Sequence, residues 1–190
     1  LHNAFLNIDN RKMSKSLGNF FTVREISEQY DLQVLRFFML SAHYRSPINF
    51  SREIMESSKS ALERIVTAVS NLTHLEQEAA ADTLTEAEEK LLAEIPSYRK
   101  KFEDAMDDDL NTADAISAIF ELVKFANTNV NDASSKAFAA ALKKEIVALS
   151  DVLGLIVERK EKNLDAEIEK MIEERQAARK ARDFKRADEI

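Results

Sequence analysis

The chain of 190 residues has no cysteine, two glycines, two prolines and three histidines. The missing cysteines exclude disulfides and every cysteine-based zinc site. The histidines are scattered at His2, His43 and His74, so no metal site is expected. With 45% hydrophobic and 32% charged residues, the scarcity of glycine and proline favours long helices with charged outer faces over a sheet-rich fold. No apolar run approaches the roughly 20 residues of a membrane span. The opening Leu-His-Asn-Ala-Phe also lacks the basic start and apolar core of a secretory signal. These absences point to a cytoplasmic chain without membrane contact. There is no initiating Met, and the chain stops at Arg-Ala-Asp-Glu-Ile inside a helical pattern, so a segment of a longer protein is expected.

An overall excess of positive charge is lacking as well. The net charge of -7 argues against a non-specific nucleic-acid-binding protein. The charge is uneven, however. Residues 1–52 carry seven Lys/Arg against four Asp/Glu, and the end from Arg175 carries six against three. Between them, fourteen cations face twenty-seven carboxylates. Basic ends around an acidic centre permit contact with a polyanion at particular faces.

The densest chemistry lies in Arg-Lys-Met-Ser-Lys-Ser-Leu-Gly-Asn, Arg11 to Asn19. Lys12 and Lys15 are flexible point charges able to follow a phosphate. Ser14 and Ser16 can bond phosphate or nearby main chain, and Gly18 relaxes the backbone. This is not a P-loop, which needs two spaced glycines before Lys-Ser/Thr. Residues 1–10 partly alternate apolar and polar, which suggests a last strand of a sheet whose other strands are absent, closed by a turn at Asp9-Asn10.

Helix signals fill the rest. Thr22 and Glu25 form a capping box for a short helix to about Tyr30. Asp31 caps a second helix with Leu32, Leu35, Phe38 and Met39 on one side, ending near His43-Tyr44 before Ser46-Pro47. Ser51 opens a long helix with Ile54, Ala61, Leu62, Ile65, Val69 and Leu72 in one stripe. Residues 76–84 read as a linker. Thr85 and Glu88 form another capping box, and Pro96 must kink or restart the helix that follows. Asn111 or Thr112 caps the next helix, and Ser134 or Ser135 the one after, with Gly154 at its C-terminal cap. The fold class expected is mainly α, with a loop-and-helix module over 1–50, an antiparallel helical bundle over 51–157 and a charged tail over 158–190.

Three further groups carry possible function. His43, Tyr44 and Arg45 form an aromatic and basic turn that suits stacking on a single-stranded nucleic-acid end, or packing at a domain boundary. Asp107-Asp108-Asp109 supplies oxygen ligands, but it lacks the alternation and glycine of an EF-hand and reads as capping charge for the next helix. In the tail, Arg175, Arg179, Lys180, Arg182, Lys185 and Arg186 read as an RNA-backbone stripe or as a solvated helix face.

Lys12 to Ser16 resembles, letter for letter, the KMSKS loop of class I aminoacyl-tRNA synthetases. The run Leu35-Arg36-Phe37-Phe38-Met39-Leu40-Ser41-Ala42-His43-Tyr44-Arg45-Ser46-Pro47-Ile48-Asn49-Phe50-Ser51 resembles the cysteinyl-tRNA synthetase family in particular. Ala105 to Ala113 and the segment from Glu173 to Asp188 continue the resemblance. It implies a KMSKS and stem-contact module, a DALR-type tRNA-binding bundle and a truncated anticodon-recognition segment. It further implies ATP with Mg, tRNA(Cys) and cysteine as partners of a monomeric enzyme, and zinc in the intact enzyme with no ligands in this chain. Lys15 would be the main pyrophosphate contact and Lys12 its helper. Ser14 and Ser16 would join them at the ATP, with His43, Tyr44, Arg45, Arg175, Arg179 and Arg182 toward tRNA. The His-x-Gly-His motif of that family is missing, so the chain alone is expected to be inactive. An ATP-dependent cysteine:amino-sugar ligase has no use for the basic tail, and a non-catalytic helical module gives no reason for the basic loop.

Overall fold

The computed structural model describes residues 4–158. Arg175, Arg179 and Arg182, with the expected last helix and tail, lie outside the described residues. β1 (Leu6–Ile8) and β2 (Arg11–Lys12) pair antiparallel, with Asn7 opposite Lys12 and Ile8 opposite Arg11. Asp9 and Asn10 connect them with φ of 47° and 64°, the left-handed pair that a type I′ hairpin turn requires. β3 (Ile48–Phe50) lies parallel to β1 on its other edge, Leu6 opposite Ile48 and Ile8 opposite Phe50. The strand order is β2-β1-β3. Partners of the first strand are therefore within this chain, contrary to the expectation that they are absent. At three residues, β3 is too short to show a period.

Local caps set the helix starts. At α1 (Val23–Ser27), Thr22 Oγ1 accepts from the Glu25 N–H at 3.2 Å, and Glu25 Oε2 accepts from the Thr22 N–H at 2.7 Å. Asp31 opens α2 (Leu32–Leu40) by accepting from the Gln33 N–H at 2.8 Å. The buried face of α2 is Val34, Phe37 and Phe38, whereas Leu32 is exposed. The helix stops at Leu40 rather than near His43, and the Thr112 hydroxyl donates to the freed Leu40 carbonyl at 2.8 Å.

α3 (Arg52–Glu78) is capped by Ser51 and buries Met55, Leu62, Ile65, Val69 and Leu72. It runs three residues into the stretch expected to be a linker, where Glu76 pairs with Lys143. α4 (Glu86–Leu92) carries the second capping box. Pro96 restarts the chain in the first turn of α5 (Ile95–Asp107), where its missing N–H costs no intrahelical bond. Asn111 caps α6 (Thr112–Asn129), so none of Asp107, Asp108 and Asp109 does. Ser135 caps α7 (Lys136–Val152).

α7 ends in a Schellman motif. The Leu155 N–H reaches the Ser150 carbonyl at 3.0 Å and the Gly154 N–H reaches that of Asp151 at 2.8 Å.

The core lies where α3 packs on α7, α5 on α6, and α2 on both α3 and α6. Ile65, Ile119, Leu122, Phe138, Leu142 and Ile146 are fully buried. Each such side chain contributes about 1.5–3 kcal/mol by leaving water. The Phe38 ring stands edge-on to Phe50 at 5.8 Å, and Phe37 to Phe120 at 6.3 Å. Through those two rings α2 joins the small sheet to the helices.

Candidate functional site

The basic loop continues directly from β2. Asn19 shapes it from within: its Oδ1 accepts from the Ser14 N–H at 2.9 Å, and its Nδ2 donates to the Lys12 carbonyl at 3.2 Å. Between those two anchors the Ser14 and Ser16 hydroxyls bond each other at 2.7 Å. Lys15–Leu17 form one 3-10 turn, ended by Gly18 at φ 67°. A Cβ on Gly18 would meet nothing within 4 Å, so the glycine is needed for its backbone angle and not for space.

Lys12 and Lys15 are exposed and, among the described residues, neither pairs with a carboxylate. Each rests on an aromatic ring instead. Lys12 Nζ is 4.0 Å from the centre of Phe5 and Lys15 Nζ is 5.4 Å from that of Phe20. Exposed cation–π contacts of this kind are worth about 0.5–1 kcal/mol. A charge-assisted hydrogen bond to phosphate is stronger, so both ammonium groups leave their rings readily for an anion. By contrast, Lys90, Lys100, Lys101, Lys136 and Lys143 are each matched to a carboxylate.

The second group of expected residues is occupied. His43 stacks on Tyr44 with ring centres 4.7 Å apart. Tyr44 Oη donates to Asp109 Oδ1 at 2.9 Å, and Arg45 Nη2 lies 2.9 Å from Asp109 Oδ2. His43 Nε2 is 3.6 Å from that second oxygen. Arg45 Nε also donates to Tyr44 Oη at 3.0 Å. The Tyr44 hydroxyl, and next the Asp109 carboxylate, raise the Arg45 pKa above its usual value. The turn thus packs on the helical part of the chain, while Arg45 stays 68% exposed.

Sequence reasoning missed Asn19 and Asp109 as site residues. The signal for Asn19 is its type and place, a side-chain donor and acceptor just after the loop glycine. For Asp109 there is no local signal, since its partners are 65 residues away. Among the described residues no group of three or more His, Asp and Glu is arranged to hold a metal ion, and no helix is long and apolar enough to cross a membrane.

Two family models match this arrangement in turn. The one described as tRNA synthetases class I (C) catalytic domain covers residues 1–60, which include the basic loop and the 43–45 turn. The one described as DALR domain covers residues 101–158, which include Asp109. Cysteine–tRNA ligase of Lachnospira eligens is 63% identical over 190 residues, all of this chain and 40% of that protein. Over its whole length this chain is therefore similar to part of a cysteine–tRNA ligase. The ligases of Lachnoclostridium phytofermentans and Clostridioides difficile are 57% and 48% identical, again over all of this chain and over 42% and 41% of their own length. The chain thus spans about two-fifths of the length of the curated ligases it matches. A crystal structure of Agrobacterium radiobacter K84 LeuRS in a ternary complex with tRNA and LeuAMS superposes with a TM-score of 0.62. It covers 82% of this chain and 23% of its own at 19% identity, and at that identity the likeness concerns the fold alone.

Proposed function

We propose that this chain supplies the phosphate-binding loop and tRNA-carrying helices of an ATP-dependent ligase that joins cysteine to tRNA(Cys). The observation that carries the reading is the pair of exposed lysines, Lys12 and Lys15, resting on aromatic rings and, among the described residues, without carboxylate partners, on a loop shaped by Asn19 and Gly18. In the reaction the cysteine carboxylate attacks the α-phosphate of ATP, the bond to the β-phosphate breaks, and pyrophosphate leaves. A hydroxyl of the terminal ribose at the tRNA 3′ end then attacks the cysteinyl carbonyl and AMP leaves.

Negative charge grows on the departing pyrophosphate, and a positioned ammonium stabilises it at the moment of bond breaking. Lys15, on the 3-10 turn, takes the pyrophosphate oxygens, and Lys12, at the end of β2, assists. Ser14 and Ser16 hold the loop's shape and present the remaining hydroxyl proton to the phosphate. Magnesium would arrive on the ATP phosphates. Zinc does not fit here, because the chain has no cysteine and its described residues offer no ligand cluster, so no step is routed through it.

On this reading residues 1–50 close a catalytic domain, 51–157 form the tRNA-binding bundle, and 158–190 begin an anticodon-recognition segment of a monomeric cytoplasmic enzyme. Arg45 faces solvent beside the bundle, where a phosphodiester would meet it, and His43 and Tyr44 support it. Arg175, Arg179 and Arg182 would add contacts from the tail.

Lys15→Ala in a full-length chain should slow cysteine-dependent ATP–pyrophosphate exchange by about 10²–10³-fold, as for the loss of one transition-state donor. An unchanged rate would remove Lys15 from the mechanism. The 190-residue chain by itself should show no exchange. Detectable exchange by the pure chain would mean that these residues hold more of the active site than proposed.

A further inference from the structure

The 43–45 turn is gripped by a corner with an uncommon backbone. Asp109 and Leu110, between α5 and α6, have φ of 56° and 57°, left-handed values that disfavour residues with a Cβ. Leu110 is 42% exposed, so burial of its side chain does not offset that cost. What the corner does achieve is to aim the Asp109 carboxylate at Tyr44 and Arg45.

The gripped turn is also where the sheet begins. The Tyr44 carbonyl accepts from the Ala4 N–H at 2.8 Å, just before β1. The Phe5 carbonyl accepts from the Ile48 N–H at 3.1 Å, and the Asp9 N–H donates to the Phe50 carbonyl at 3.2 Å. The hairpin turn is tied as well, the Asn10 N–H donating to Asn49 Oδ1 at 2.7 Å. On the far side of β1, the Leu6 carbonyl accepts from the Met13 N–H at 3.0 Å, inside the basic loop. Three hydrogen bonds, joined by the covalent chain through Tyr44 and from Ala4 to Leu6, therefore link Asp109 to Met13. These two ends lie in the segments matched by the DALR and the catalytic-domain models.

We propose that Asp109 is a positioning residue that fixes the Lys12–Ser16 loop relative to the helical bundle through the 43–45 turn. Its kinetic consequence rests on the reading of that loop as the phosphate-binding element, whereas its geometric consequence does not. Helices carrying tRNA would thereby set the place of the lysines that meet ATP.

The test uses full-length chains carrying Asp109→Gly, Tyr44→Phe or both. Glycine removes the carboxylate and at the same time relaxes the left-handed backbone, so loss of function cannot be ascribed to added strain. Tyr44→Phe keeps the ring and removes only the bridging hydroxyl, and it carries the same readouts if the glycine variant fails to fold. Hydrogen exchange of residues 11–19 should quicken about tenfold in each single variant, as for loss of one hydrogen bond to a charged group, with protection in α3 and α7 unchanged. The kcat of cysteine-dependent ATP–pyrophosphate exchange should fall by a similar factor at constant KM for cysteine. The double variant should be no worse than Asp109→Gly alone, because that change already removes the contact that Tyr44→Phe removes.

Unaltered hydrogen exchange at residues 11–19, or effects that multiply in the double variant, would overturn the positioning role. Quickened hydrogen exchange in the variants, together with no pyrophosphate exchange by the unsubstituted full-length chain, would overturn the ligase reading and leave the positioning role standing.

Discussion

Glu88 is 7% exposed, and four hydrogen bonds converge on its carboxylate. The Thr85 N–H and hydroxyl donate to Oε2 at 2.8 and 3.1 Å, the Ser135 hydroxyl donates to Oε2 at 2.9 Å, and the Ser135 N–H donates to Oε1 at 2.8 Å. Burial alone would raise its pKa. The bonds from Ser135 and Thr85 outweigh that and hold it below the usual carboxylate value. Because the folded group titrates below the unfolded one, its contribution is complete above the ordinary carboxylate pKa. That contribution is lost as pH falls through the lower folded value. Glu88→Gln should therefore destabilise the protein by about 2 kcal/mol at pH 7, as for a buried charge-assisted hydrogen bond. The deficit should begin to shrink below about pH 4, where the carboxyl of the unfolded chain takes up its proton while the folded one is still charged. Thermal melts at pH 7 and pH 3.5 measure both gaps, and equal gaps would show that the charge is irrelevant. Half of this site was legible in the sequence. Thr85 and Glu88 stand three apart and announce a capping box, but Ser135 is 47 residues away and nothing local names it. Asp109 with Tyr44 is the same case, a pairing made by the fold alone.

Helix ends repeat this division between near and far. Asp31, Ser51, Asn111 and Ser135 cap their helices through amides two or three residues on. Type and place named Asp31 and Ser51 outright, and narrowed the other two to Asn111 or Thr112 and to Ser134 or Ser135. At the helix C-termini the partners are distant: Thr112 donates to the Leu40 carbonyl at the end of α2, and Lys143 pairs with Glu76 in the last turn of α3. The two glycines differ in an informative way. Both adopt left-handed backbone, at 67° and 65°, but a Cβ at Gly154 would stand 2.6 Å from Arg36 Nη1 whereas Gly18 is open. An alanine at either position pays the left-handed penalty of roughly 1–2 kcal/mol. At Gly154 the Arg36 side chain must also move, and its flexible end makes that movement cheap. Gly154→Ala should lower the Tm by several degrees and leave residues 11–19 undisturbed. Gly18→Ala should instead alter the loop, read out as lost protection at Lys15 to Gly18, with a smaller change in Tm. If Gly18→Ala lowers the Tm more than Gly154→Ala does, the Schellman ending of α7 contributes less than its geometry implies.

At the scale of the whole molecule, Phe37 and Phe38 put the small sheet and the helices on one core, and residues 4–158 fall within one compact unit. The basic module should therefore not melt ahead of the bundle. Phe38→Ala removes a ring that is 2% exposed and should cost about 3–5 kcal/mol. The loss should appear as one transition shifted to lower temperature in both near-ultraviolet and far-ultraviolet signals. Two separated transitions in the wild type would mean that the rings touch without coupling the parts. The parallel pairing of β1 with β3 has a further bearing, on the order of events during synthesis. Leu6 must wait for Ile48, its partner across the sheet, while α1 and α2 are made between them. At 5–20 residues per second that wait lasts about 2–8 s. For that interval the nascent chain carries Phe5, Leu6 and Ile8 with one edge of their strand open. A chaperone that recognises short apolar segments on the ribosome would find a target there, in the strand that later supports the lysines.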